Sequence, residues 1–479
     1  MKTRLILALT ATLMSGCTMA PRYERNALPV PAQFPTGDAY PEAAVPVPPV
    51  LDRTLIFQDV RLQKLMDQAL VNNRDLRVAA ANIVRARSQF RAQRAELLPQ
   101  LDANLQVQRS ETASSSGFAA GVRSAANGTL AISAYEVDLF GRIQSLTNAA
   151  QETYFATEAT ARATRLALLG DIATAWLTYA SDQSLYKLAQ DTAASARKTV
   201  DLTRARLEGG VAARTDLRQA QTILATAESN MARQQTAVAQ DVNALVLLVG
   251  ADFDRALLPA SIEEAATTIG DPPTGTSADI LLRRPDVLAA EYSLRSANAN
   301  IGAARAAMFP RITLTGILGL ASGSLESLFG DSGQHTSQAT AAAGYPIFQA
   351  GAARATVRAS IAQRDALLST YEKSIQTAFR EVADALARRG TIDDQLAADT
   401  RRNDAAADAF RLSEARYRGG IDNFLVNLDS QRSLYTAQQV LVATRLIAAT
   451  NRVTLYRVLG GDALTPSANE PEPARTRQP

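Results

Sequence analysis

From Leu101 to Gln108 the chain alternates without a fault. Leu101, Ala103, Leu105 and Val107 take the odd positions; Asp102, Asn104, Gln106 and Gln108 take the even ones. Period-two alternation predicts a strand with one apolar and one polar face. Ile312, Leu314, Leu318 and Leu320 repeat the pattern, with Thr313 and Thr315 on the opposite face. Each strand is followed by a loop of small and polar residues, 110–128 and 322–336, and then by a return strand. The first return strand, 129–139, changes phase near Ala134, which predicts a bulge. The second, 337–347, places Ala339, Ala341, Ala343 and Tyr345 on one face. A soluble half-buried strand alternates in the same way, so the pattern alone does not name the solvent.

Around these strands the period is helical. One helix is expected from near Arg61 to Leu97 and another from near Asp279 to Met308, stopped by Pro99 and Pro310. Further helices are expected to start at Phe140-Gly141 and near Phe348-Gln349. No proline lies between Pro99 and Pro259, nor between Pro346 and Pro466. The 68 residues from Phe140 to Leu207 would make roughly 100 Å of unbroken helix. A Gly-Gly pair then turns the chain into a return helix, Thr215–Val249, about half as long. Stacked on the helix before the first strand, it would complete a second rod.

The order helix, strand, loop, strand, long helix, turn, return helix occurs twice. The stretch from Asn73-Arg74-Asp75-Leu76 to Leu98-Pro99-Gln100-Leu101 matches that from Arg284-Pro285-Asp286-Val287 to Phe309-Pro310-Arg311-Ile312 at an offset of 211. Ala205 to Val211 matches Ala415 to Ile421, and Leu248 to Asp252 matches Val458 to Asp462, both at 210. A shift held this closely along a whole unit is the signature of duplication. The expected division is 1–16 signal peptide, 17–57 N-terminal anchor and equatorial segment, 58–260 first repeat, 261–278 linker, 279–465 second repeat, and 466–479 a disordered tail.

Four strands per chain, each near the roughly 9–11 residues that cross a bilayer at a tilt, have edges that lipid cannot satisfy. Only a barrel closed by several copies would do so. Two copies leave little lumen; three give twelve strands and a pore lined by Asp102, Asn104, Gln106, Gln108, Thr313 and Thr315. The long helices bear charges throughout, such as Arg197, Lys198, Asp201, Arg204 and Arg206, and so belong in water. The expected class is an α+β membrane protein in which three copies close a twelve-stranded β-barrel and the long helices lie in water.

Composition agrees. Residues are 47% hydrophobic but only 5% aromatic, which with abundant alanine favours closely packed helices. The net charge of +3 falls to about +1 without Lys2 and Arg4, and charges of both signs are interspersed; no one-signed patch points to nucleic acid. The single cysteine, Cys17, has no disulfide or metal partner of its own kind. It follows a positive start, a short apolar run from Leu5 to Leu13, and Met14-Ser15-Gly16. This resembles the lipobox of bacterial lipoproteins, which implies cleavage before Cys17 and its acylation. The alternative is an ordinary signal peptide with an incidental cysteine. Thr18, rather than Asp, implies delivery to the outer membrane.

Enzyme chemistry fails on inventory. His335 is the only histidine, so no His-rich metal site exists. Gly330-Asp331-Ser332-Gly333 resembles a protease nucleophile segment but sits in an expected loop without that fold's strands. No cofactor or metal is expected. Trp176 reads as packing and Arg283-Arg284 as a salt-bridge site at a helix start.

Tyr135-Glu136-Val137-Asp138-Leu139-Phe140-Gly141-Arg142, Leu281-Leu282-Arg283-Arg284-Pro285-Asp286, Ala297-Asn298-Ala299-Asn300-Ile301-Gly302-Ala303-Ala304-Arg305 and Phe309-Pro310 resemble hallmarks of the TolC-like outer-membrane efflux proteins, in particular the lipid-anchored, OprM-like and NodT-like branch. The resemblance covers about residues 20–465. It implies a homotrimer with a long periplasmic helical barrel and a mixed equatorial domain, working with a periplasmic adaptor (a membrane fusion protein) and an inner-membrane pump of the RND class, as a passive exit duct for drugs or other small molecules. Gly209, Gly210 and Val211, with Gly419, Gly420 and Ile421, match the tips that meet the adaptor, although a turn alone also accounts for the glycines. Asp429 matches a ring of gating carboxylates; Val426 stands where another acid would be. A solvated helix carboxylate is the plainer reading of Asp429. Tyr417 and Asp216 match residues that latch neighbouring helix pairs by a hydrogen bond. Protein export beside an ABC transporter, and a soluble coiled-coil scaffold, are the alternatives; the lipobox and duplicated strands weigh against the scaffold.

Overall fold

The computed structural model describes residues 18–41, 51–112, 121–273, 277–330 and 333–464. The expected signal peptide 1–16, Cys17 and the tail 466–479 lie outside the described residues, as do Asp331 and Ser332. The helices are α1 (Arg53–Ile56), α2 (Val60–Asn72), α3 (Arg74–Ala95), α4 (Arg142–Glu208), α5 (Arg214–Val249), α6 (Ile262–Thr267), α7 (Pro285–Ala306), α8 (Ala352–Arg418) and α9 (Phe424–Val458). The strands are β1 (Leu101–Thr112), β2 (Gly121–Val137), β3 (Arg311–Ser322) and β4 (Gln334–Gly344). No helix among the described residues is long and apolar enough to cross a membrane.

Two compact units emerge. One holds residues up to Asn26, Asn82–Glu158 and Ala289–Tyr371; the other holds Ala27–Ala81, Ala159–Leu288 and the chain from Glu372 onward. The first contains one antiparallel sheet in the order β1-β2-β3-β4. The phase change read at Ala134 is a bulge: the β2–β3 register shifts between Ile132 and Tyr135, and Ala134 takes φ +50°. The first loop is shorter than expected, because pairing continues through Arg109↔Ser124 to Thr112↔Gly121. Ladder hydrogen bonds are made by the backbone, so they outlast the side-chain alternation that revealed the strand. β4 runs from Gln334 to Gly344 rather than 337–347. Pro346, which has no N–H to donate, follows its end.

The second unit supplies a buried apolar core. Trp176, Leu169, Ile172 and Leu177 of α4 and Leu62, Leu65 and Met66 of α2 are fully enclosed. Trp176 is packed as expected, and its Nε1 donates to the Leu257 carbonyl at 3.1 Å. Phe57 meets Tyr456 edge-on with centroids 5.0 Å apart.

The duplication extends to the length of the long helices: α4 and α8 each run unbroken for 67 residues. The helix expected over 61–97 is, however, two. It breaks at Asn73 (ψ 135°), whose Oδ1 caps α3 by accepting from the amides of Asp75 and Leu76. The helix expected over 279–308 likewise divides into a 3₁₀ turn, Ala278–Arg283, and α7. Arg284 is extended between them because the ring of Pro285 disfavours a helical residue before it. Both break residues reach the end of a return helix: Asn73 Nδ2 donates to the Leu248 carbonyl at 2.8 Å, and Arg284 Nη1 to the Val458 carbonyl at 3.1 Å. Arg284 is also the expected salt-bridge residue, 2.7 Å from Asp286 and 2.8 Å from Glu381.

Candidate functional site

The sheet sorts its side chains by face. Register aligns Asp102 with Ala131, Ile317 and Gln338; Asn104 with Thr129, Gly319 and Thr336; and Gln106 with Asn127, Ala321 and Gln334. Gln108 pairs with Ala125, Thr315 with Thr340, and Thr313 with Glu136 and Ala342. Paired residues of an antiparallel sheet point the same way. All six lining candidates therefore share one face, polar or small apart from Ile317. The opposite face gathers Leu101, Leu105, Val107, Leu130, Leu314 and Leu318, all exposed in the protomer.

The motif at the foot of β2 builds the corner into α4. Asp138 caps the helix, Oδ1 accepting from the Arg142 amide at 2.6 Å and Oδ2 from the Gln144 amide at 2.8 Å. Arg142 makes two 2.8 Å hydrogen bonds to Glu136, which also holds Arg311 of the second repeat. Phe140 and Phe309 stack at 4.8 Å, so the two Phe-bearing motifs meet each other.

The two tips have matching backbone geometry. Val211 N–H donates to the Arg206 carbonyl and Ile421 N–H to that of Arg416, both at 2.9 Å; Gly210 and Gly420 donate to Leu207 and Tyr417 at 3.0 Å. This paired closure is a Schellman turn, which needs one left-handed residue. Gly210 (φ +74°) and Gly420 (φ +72°) provide it. Gly209 and Gly419 are not in that conformation, so only the second glycine of each pair is required by the turn. Val211 and Ile421 project into solvent beside them. The tips differ in what braces them. Arg416 grips Asp422 with bonds of 2.7 and 2.9 Å, which holds the Asp422 carboxyl below its usual range; position 212 is alanine in the first copy.

Tyr417 is buried with Val200, Ala220 and Phe424. Among the described residues no hydrogen bond joins it to Asp216. Its partner is Arg206, which the sequence reading did not single out. Asp429 is exposed on α9 and pairs with Arg432 at 2.8 Å, so the candidate gating carboxylate has a neighbouring cation.

Also missed was a carboxyl pair, Asp182 on α4 and Asp241 on α5. Burial first, and the Asp182 carboxylate second, push Asp241 up to about 7; burial raises Asp182 too. The two lie 28 residues before and 31 after Gly210, so counting outward from the turn would have placed them opposite each other. Among the described residues no cluster of His, Cys, Asp and Glu could hold a metal ion.

The family model described as outer membrane efflux protein matches twice, over residues 65–251 and 277–461. The chain is 43% identical over 464 residues to the antibiotic efflux pump outer membrane protein ArpC of Pseudomonas putida, and equally to the toluene efflux pump outer membrane protein TtgC of the same species; the match covers 96% of each chain. It is also similar to the crystallised open state of the Neisseria gonorrhoeae MtrE outer membrane channel, with TM-score 0.83 and 34% identity over 93% of this chain and 99% of that one.

Proposed function

This chain belongs to the outer membrane efflux protein family, and on that premise we propose how its residues serve an exit duct. The chain is a subunit of an outer-membrane efflux channel, and its fold class is that of the trimeric channels of this kind. In our reading, the face bearing Asp102, Asn104, Gln106, Gln108, Thr313 and Thr315 lines the water-filled barrel, while the exposed leucines face lipid. The tips at Gly209–Val211 and Gly419–Ile421 meet a periplasmic adaptor, which couples the duct to an inner-membrane pump of the RND class. Acylated Cys17 holds the chain to the outer membrane. Asp429, Tyr417 and Asp216 belong to the periplasmic gate. The names of the relatives support small molecules, antibiotics and apolar solvents such as toluene, as cargo rather than protein.

The observation that carries the reading is the register, which collects polar side chains from all four strands on one face and exposed leucines on the other. Cys17 is the only cysteine, so single-cysteine variants test it cleanly once that thiol is acylated. Asn104→Cys and Gln106→Cys should react with a water-soluble, membrane-impermeant thiol reagent in intact outer membrane, and Leu105→Cys should not. The reverse pattern would invert the barrel. Loss of the chain should raise cellular accumulation of antibiotics and dyes; unchanged accumulation would sink the cargo assignment.

A further inference from the structure

The motif from Ala297 to Arg305 lies on α7, and Asn298, Gly302 and Arg305 within it share one neighbour. They face the N-terminal segment. Arg305 Nη1 donates to the Met19 carbonyl at 3.3 Å and Asn298 Nδ2 to the Pro21 carbonyl at 2.6 Å. Between them is Gly302, where a Cβ would fall 2.6 Å from the Ala20 nitrogen; only glycine admits the backbone so close. Further back on α7, Glu291 is almost fully buried, and both of its carboxylate oxygens accept from Arg25 Nη2, at 2.7 and 2.9 Å. Arg295 joins the same carboxylate at 2.6 Å and lies 5.0 Å over the Tyr23 ring.

These contacts order the segment antiparallel to α7: Arg25 at Glu291, Pro21 at Asn298, Met19 at Arg305. α7 runs toward β3, so the segment runs toward the strand ends in reverse. Thr18 completes the path at Ser145, in the first turn of α4, with the hydroxyl oxygens 3.2 Å apart. The duplicated helix α3 has no such track. At the matching positions it carries Ala80, Val84, Arg87, Arg91 and Arg94, so only the last arginine is shared, and it has no acid and no glycine there. A chain with two repeats has one N-terminus, and only one repeat has kept a place for it.

We propose that Glu291, Arg295, Asn298, Gly302 and Arg305 form a docking groove for residues 18–25, and that the groove holds Thr18, the residue next in sequence to the lipid-bearing cysteine, beside the start of α4. The buried carboxylate makes docking selective, since Arg25 brings a cation to a site from which water is excluded. The close approach at Gly302 fixes the register. This rests on the reading that Cys17 is acylated.

The test uses the full chain expressed in a Gram-negative host, with Gly302→Val and Arg25→Ala. Three readouts are taken: palmitate labelling, proteinase K cleavage within 18–26 in isolated membranes, and heat-modifiable trimer in the outer membrane. Labelling should match wild type in both variants. Cleavage should rise about tenfold or more in Gly302→Val as the segment opens, and by less in Arg25→Ala, where Arg295 still faces Glu291. Outer-membrane trimer should fall in the same order. Arg25 lies outside the helix, so its variant keeps the test informative if Gly302→Val misfolds. Unchanged cleavage in both variants would show that the groove does not hold the segment. Raised cleavage with full trimer yield would show that docking does not serve assembly. Absent palmitate in the wild type would overturn the acylation reading, while the cleavage result still decides the groove.

Discussion

Arg206 lies over the ring of Tyr417, its guanidinium carbon 4.8 Å from the centroid, and donates to the Tyr417 carbonyl at 3.2 Å. The contact joins the tip of the α4–α5 hairpin to the tip of the α8–α9 hairpin. It uses the ring and the backbone of Tyr417 but not its hydroxyl. A latch through Asp216 would use the hydroxyl.

The two latches therefore separate by mutation. Arg206→Ala should remove a cation–π contact and a charged hydrogen bond, together about 1–3 kcal/mol at a half-exposed site. Open probability in planar bilayers should rise several-fold. Tyr417→Phe keeps the ring and the carbonyl and should conduct like wild type. A leaky Tyr417→Phe channel beside a tight Arg206→Ala channel would return the latch to Asp216.

The glycine pairs should respond unequally. Gly210→Ala and Gly420→Ala force a Cβ into the left-handed region, at a cost of about 1–2 kcal/mol each. Gly209→Ala should cost only a few tenths, because its backbone is not left-handed. Thermal unfolding of the trimer would rank them. Gly420→Asp should leave the trimer assembled and abolish capture by the adaptor; normal capture would move the docking surface elsewhere.

Asp429 and Arg432 form an exposed pair three residues apart on a helix, a geometry that contributes about 0.3–0.5 kcal/mol. So weak a pair leaves the carboxylate available to ions. Asp429→Ala should lower cation preference, and Arg432→Ala should raise it. Reversal potentials across a salt gradient would decide; equal potentials in both variants would place Asp429 off the conduction path.

The Asp182–Asp241 pair carries a pH signature. Folded Asp241 holds its proton to about pH 7, whereas an unfolded aspartate releases it near 3.9. Between those values the folded state binds more protons, so this pair's contribution to stability falls as pH rises. Asp241→Asn keeps a donor toward Asp182 without ionising. It should raise the melting temperature at pH 8, change it little at pH 4, and flatten the dependence between them. An unchanged slope would show that the two carboxyls do not share a proton.

Much of this was legible from sequence where a local rule acts alone. The bulge at Ala134 showed as a phase error because side-chain direction in a strand has period two. The turns at Gly210 and Gly420 showed because a left-handed residue favours glycine. The break at Asn73 was hidden inside a helical hydrophobic pattern, whereas Pro285 marks the break at Arg284 by a local rule. The Asn73 and Arg284 side chains bond the far ends of return helices 175 and 174 residues away. Arg206 was hidden for the same reason: nothing near it in the chain announces Tyr417.

The sequence by itself determined the repeats, the four strands, the polar and apolar faces, and the 67-residue helices. These follow from periodicity, which each residue expresses through its own backbone. Only the tertiary structure decided which arginine braces which tip, which carboxyls are buried near each other, and which repeat receives the N-terminal segment. Those choices depend on distances between residues remote in the chain. Burial strengthens them by stripping water from charges such as Glu291, and no local pattern encodes it.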